Sequence, residues 1–115
     1  MGLKRKASQA GADALWSALA DGSRRKIVEL LRSAPRSAGE LASQTGLAPS
    51  VVSKHLRQLK DCDLVEESHP DYDARVRIYA LNARPLAGLK EWLGATEEMW
   101  AGQLAAFKKH IERAK

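Results

Sequence analysis

The segment LKDCDLVEESH, Leu59 to His69, holds the single cysteine of the chain, Cys62, between Asp61 and Asp63, with His69 seven positions on. A thiol, carboxylates and an imidazole this close in sequence could ligate a soft metal, form a reactive thiol, or simply mark the end of a helix. Helical metal sites need donors three or four residues apart, because the side chains must converge to about 2.0 to 2.3 Å from one ion. Cys62 has Gln58, Leu59, Val65 and Glu66 at those offsets, and Glu66 falls beyond the expected helix end. His55 and His110 have no ligating residue at theirs, and Glu97 and Glu98 have no histidine within three turns. No metal site and no cofactor are therefore expected within one chain, and a metal site shared between two chains stays open. The sequence has no Walker loop, dinucleotide fingerprint, HExxH or nucleophile elbow, so an enzyme is not expected.

The other residues with chemistry to offer are cations. Lys and Arg number 19 against 14 Asp and Glu, and residues 1–60 carry eleven of the basic side chains with only four acidic ones. Such asymmetry suits a chain with one face turned to a polyanion, although a solvated basic surface has the same composition. Lys54 and Arg57 in PSVVSKHLRQLKDC are three apart, the spacing of neighbours on one helix face.

The elements that must position them can be read in order. ADALWSALAD repeats apolar residues at Ala14, Leu15, Ala18 and Leu19, which predicts a first helix. Asp21 and Gly22 break it, and Ile27, Val28, Leu30 and Leu31 resume the period until Pro35. Ser37 with Glu40 makes a capping box, since each side chain can accept from an orphaned N–H at the start of a third helix that stops at Gly46. Pro49 suits the first position of a fourth helix, where its missing N–H costs nothing.

LVEES and VRIYALN then have strand character and are joined by the turn-rich HPDYDAR, a hairpin. From Arg84 to Lys115, apolar residues at Leu86, Leu89, Leu93, Trp100, Leu104, Phe107 and Ile111 predict one long amphipathic helix, with Gly94 and Gly102 as its weak points. Two shorter helices broken at those glycines are the alternative. A continuous helix would span on the order of 45 Å, more than so small a domain covers alone, so part of its stripe must find a partner chain.

Helices three and four form a helix-turn-helix arrangement, in which the second helix enters the DNA major groove. At about 100° per residue, with Val52 at the centre of the buried face, Leu56 and Leu59 lie beside it and Ser50, Lys54, Arg57 and Asp61 lie opposite. Small residues Ser50, Val51 and Ser53 permit close approach, and Lys54 and Arg57 can reach guanine edges or phosphates. The hairpin supplies a wing. Alternation places Arg75 and Arg77 on one face of its returning strand, behind a tip made acidic by Asp71 and Asp73. A winged-helix module for protein contact alone would instead show a neutral or acidic outer face on helix four. His55 sits at the edge of the buried face and reads as a packing residue.

LADGSRRKIVELL, ELASQTGLAPSVVSKHLRQLKDCDLV and RVRIYAL closely resemble the winged helix-turn-helix repressors of the ArsR, or arsenic-repressor, family, over roughly residues 12–111, with VVSKHLRQL the most specific block. The resemblance implies a homodimer joined by the first and last helices, bound to an inverted-repeat operator of double-stranded DNA and blocking transcription until a signal releases it. Leu15, Trp16, Leu19, Leu93, Trp100, Leu104, Phe107 and Ile111 are the corresponding interface residues. The metal-sensing branch carries paired cysteines on positions that here hold Ser37 and Gly39, which implies the non-metal branch; a metal-responsive repressor is the alternative. Family members also carry a glutamine near the start of the recognition helix, where this chain has Ala48 and Pro49. Small residues usual at the end of that helix are replaced by Cys62 and Asp63, which implies a semi-buried thiol followed by a left-handed cap.

The expected fold is thus mainly α with a small β-hairpin, a winged helix-turn-helix of order α-α-α-α-β-β-α. It is expected as a single domain over 12–115, including a terminal dimerisation helix at 84–115, behind a disordered basic arm at 1–11. One cysteine cannot form an internal disulfide, and MGLKRKASQAGA has no apolar run behind its basic cluster, so a cytoplasmic protein without a membrane span is expected. The effector is not legible.

Overall fold

The computed structural model describes residues 12–114. The expected basic arm, 1–11, lies outside the described residues. Residues 12–85 belong to one compact unit and the terminal helix to a second.

In the first unit, α1 is helical over residues 12–20, and α2 (Gly22–Ser33) begins two residues later. Asp21 is more than a break between them: its carboxylate accepts from the Ser23 N–H at 2.8 Å and the Arg24 N–H at 3.0 Å, capping α2. A lone acidic residue before a helix satisfies two of the four N–H groups that have no intrahelical acceptor.

The two-residue strand β1 (Arg36–Ser37) follows, then α3 (Ala38–Thr45), opened by the expected Ser37–Glu40 capping box and closed by Gly46 at φ 73°. Residues 46–48 make the turn into α4 (Pro49–Asp61), with Pro49 in its first turn. Strands β2 (Val65–Ser68) and β3 (Ile78–Leu81) form the hairpin, and β1 adds to its free side to give the antiparallel order β1-β3-β2. The sheet therefore has three strands where the sequence predicts two. β3 is also shorter than the predicted VRIYALN, beginning at Ile78.

Ile27 and Leu41 from α2 and α3, Val52, Leu56 and Leu59 from α4, and Leu64 and Val65 at the start of β2 are fully buried together. Four elements thus share one core, and the buried stripe of α4 is the one its sequence period specifies. The second unit is α5 (Leu86–Ala114), a single helix uninterrupted at Gly94 and Gly102. No helix among the described residues is long and apolar enough to cross a membrane.

Candidate nucleic-acid interface

Burying Val52, Leu56 and Leu59 fixes the rotation of α4, and the rest of the helix follows. Ser50, Val51, Ser53, Lys54 and Arg57 are all exposed, so the structure brings the five predicted α4 residues to the solvent side. Among the described residues, Lys54 and Arg57 engage no side-chain hydrogen bond and no ion pair.

The end of α4 answers the question raised by Cys62. The Leu64 N–H donates to the Leu59 carbonyl and the Asp63 N–H to the Lys60 carbonyl, each at 3.0 Å, the paired bonds of a Schellman cap. Asp63 takes the left-handed conformation the motif needs, at φ 61°. The Cys62 thiol is half-buried and donates to the Leu59 carbonyl at 3.3 Å, and burial pushes its pKa up, against thiolate chemistry. No group of three or more His, Cys, Asp or Glu is placed to hold a metal ion among the described residues.

The wing departs from expectation. Arg75 and Arg77 do not lie on β3; both precede it. Asp73 captures Arg75, accepting from its backbone N–H at 2.9 Å and its Nε at 3.2 Å, which folds the chain into a turn where alternation predicts strand. Arg77 pairs instead with Glu67 across the hairpin at 3.3 Å. The same carboxylate accepts from Lys60 Nζ at 2.8 Å, so Glu67 joins α4 to the wing. Its carboxyl is held below the ordinary value, chiefly by the Lys60 hydrogen bond.

Two further cations, Arg24 and Arg25, join elements in a way the sequence does not reveal. Arg24 Nε donates to the Ala18 carbonyl at 2.7 Å and Nη2 to the Ser17 carbonyl at 3.2 Å, while Nη1 donates to the Gln58 side chain and lies 3.4 Å from His55 Nδ1. Arg25 Nη1 donates to the Leu19 and Ala20 carbonyls. The last carbonyls of α1 are thus capped by side chains of α2, and Arg24 carries that contact on to α4. One signal was available: two arginines in the first turn of a helix oppose its macrodipole, which hints that their partners lie elsewhere.

Of the residues expected at the dimer interface, Leu15 is buried within the chain, Leu19 is half-buried and Trp16 is exposed. On α5, Leu93, Trp100, Leu104, Phe107 and Ile111 are all exposed, as are Trp92 and Met99.

A helix-turn-helix whose second helix turns small residues and cations outward, backed by a β-hairpin, defines a winged helix-turn-helix DNA-binding protein. The chain belongs to the family described as "Bacterial regulatory protein, arsR family", whose sequence model matches residues 21–67, and it is a transcriptional regulator of that family. It is 36% identical over 100 residues to the HTH-type transcriptional regulator Rv2034 of Mycobacterium tuberculosis, covering 87% of this chain and 88% of the relative. The transcriptional repressor SdpR of Bacillus subtilis is 27% identical over 79 residues, 69% of this chain and 84% of that protein. An ArsR-like transcriptional regulator from Rhodococcus sp. RHA1 has a similar structure, with a TM-score of 0.76 at 28% identity over 90% of this chain and 92% of its own.

Proposed function

We propose that this regulator is a cytoplasmic repressor of the non-metal branch that acts as a homodimer on an inverted-repeat operator. The observation that carries the reading is the outer face of α4, where Lys54 and Arg57 are exposed and have no side-chain partner among the described residues, beside the small Ser50, Val51 and Ser53. Cations left unpaired on a helix that the core holds rigidly are the groups available for guanine edges and phosphates. Arg75 and Arg77 at the base of the wing would meet the flanking backbone. The homodimer rests on α5, whose residues Leu93, Trp100, Leu104, Phe107 and Ile111 are exposed, and Trp16 of α1 is exposed as well. The similarity to SdpR, a transcriptional repressor, supports the direction of regulation.

Binding-site selection with the purified protein tests all of this together. Recovery of an inverted repeat, with affinity falling as salt rises, is the expected outcome. Recovery of no motif, with no salt dependence, would overturn the reading.

A further inference from the structure

Glu67 stands where the charge logic of the interface is least expected. Alternation along β2 puts it on the same face as buried Val65, the face that packs against α4, and in register it opposes Tyr79 of β3. Its carboxylate therefore reaches out from the edge of the core between the recognition helix and the wing. One oxygen accepts from Lys60 Nζ at 2.8 Å and the other faces Arg77 Nη1 at 3.3 Å. The carboxylate is mostly covered, with 21% of the side chain exposed, whereas Lys60 and Arg77 remain 53% and 68% exposed. Ser53 and Arg57 line the same concavity, of about 320 Å³. Two cations thus hold one anion, in a concavity that Ser53 and Arg57 of the DNA-reading face also line.

We infer that Lys60 and Arg77 form a seat for a DNA backbone phosphate, and that Glu67 fills it as an internal anion that lowers affinity for DNA of every sequence. The inference rests on the DNA-binding reading of α4. A phosphate oxygen and a carboxylate oxygen make the same charge-assisted bonds to ammonium and guanidinium groups, so the two compete for one pair of cations. An exposed ion pair adds little to stability, because solvent screens it, so the larger consequence lies in what these cations can bind next. A fixed negative charge at the seat opposes an incoming phosphate and leaves fewer cations to displace counterions from the duplex. A loss equal for every sequence leaves the ratio of specific to non-specific affinity unchanged and lowers the occupancy of both.

The alternative role is a plain staple between α4 and the wing, and the two roles predict opposite signs. With a short random-sequence duplex as probe, Glu67→Gln should bind about three- to tenfold tighter at about 0.1 M salt, and its plot of log affinity against log salt should steepen by about one to two. Adding Lys60→Ala in that background should remove about half of the extra slope. Glu66→Gln deletes the same charge from the opposite face of β2, and should change affinity less than about twofold, since an exposed charge farther from the duplex is screened. Unchanged or weaker binding by folded Glu67→Gln overturns the inference, as does an equal gain from Glu66→Gln. If Glu67→Gln does not fold, Glu67→Thr, which suits a strand, is read by the same outcomes. A wild-type chain that shows no salt-dependent duplex binding overturns the DNA-binding reading itself; wild-type binding without the gain overturns this inference alone.

Discussion

Asn82 locks Asp63 at the exit of the recognition helix. The Asn82 side-chain amide donates to the Asp63 carbonyl at 3.0 Å, and its backbone N–H donates to the Leu64 carbonyl at 2.8 Å. The end of β3 thereby clamps the chain where it leaves α4, at the one non-glycine residue with positive φ among those described. An L residue is strained in this region, Asp less than most, so the clamp and the Schellman bonds hold a conformation the side chain resists. Asp63→Gly should stabilise the fold by about 0.5 to 1 kcal/mol, net of the entropy glycine adds to the unfolded chain, and Asp63→Val should destabilise it by more than about 1 kcal/mol. Urea denaturation of the two variants checks the order; a valine variant as stable as the glycine one would contradict it.

The start of α3 rests on a reciprocal pair. Ser37 Oγ accepts from the Glu40 N–H at 3.1 Å and the Glu40 carboxylate accepts from the Ser37 N–H at 3.3 Å. Ser37→Ala removes the first bond and weakens the second, and should cost about 1 kcal/mol. Because α3 only supports α4, DNA affinity measured well below the melting temperature should be unchanged.

Acid should act through Glu67. Its carboxyl is held below the ordinary 4.5, first by the hydrogen bond from Lys60 and further by the charges of Lys60 and Arg77, against partial desolvation. A depressed folded pKa means that the contribution to stability is present above the ordinary value and is lost as pH falls through the folded one. Asp21, lowered mainly by the Arg24 backbone N–H, adds a loss of the same sign. The stability of wild type relative to Glu67→Gln should therefore shrink on acidification below 4.5. Parallel stability curves through that range would show that the ion pair contributes nothing.

How much of this was legible in the sequence depended on distance along the chain. Ser37 with Glu40, Gly46 and Pro49 act within one helical turn, and each specified its boundary. The buried stripe of α4 was readable because Val52, Leu56 and Leu59 repeat at the period of a single element. Strand β1 was not, since two residues carry no period and only pairing with Ile78 and Tyr79 defines them. Arg75 was misplaced because alternation assumes a continuing strand, whereas Asp73, two residues away, captured it in a turn. Lys60, Glu67 and Arg77 come from a helix, a strand and a loop, so only the tertiary fold assembles them.

Lys54 and Arg57 can be separated by the kind of loss each variant shows. Replacement of either by alanine should weaken operator binding by about 1 to 3 kcal/mol if the side chain reads a base, and specificity should relax at one position of the site. A residue that holds only phosphate would instead weaken binding evenly across sequences and reduce the salt slope by about 0.9. Operator and scrambled duplexes titrated at several salt concentrations distinguish the two, and an unchanged affinity in both variants would remove α4 from the interface.

The dimer makes the most demanding prediction, because it concerns a helix rather than a contact. α5 runs for 29 residues, about 43 Å, and Leu93, Trp100, Leu104, Phe107 and Ile111 recur along it at intervals of three, four and seven. Each is at least 42% exposed, so the stripe is a long apolar surface of the kind that marks an association site. A second copy is the occupant that the proposed inverted-repeat operator would call for, and both chains would then bury the same stripe. Leu104→Glu puts a charge at its centre, where burial without a partner is costly. Sedimentation should give a dimer for the wild-type chain at low micromolar concentration and a monomer for Leu104→Glu. Operator affinity should fall in step, since one chain engages only one of the two half-sites. Glu98→Gln, on the opposite face of α5, should leave the dimer intact. A wild-type chain that stays monomeric into the high micromolar range would leave the stripe of α5 without its second copy.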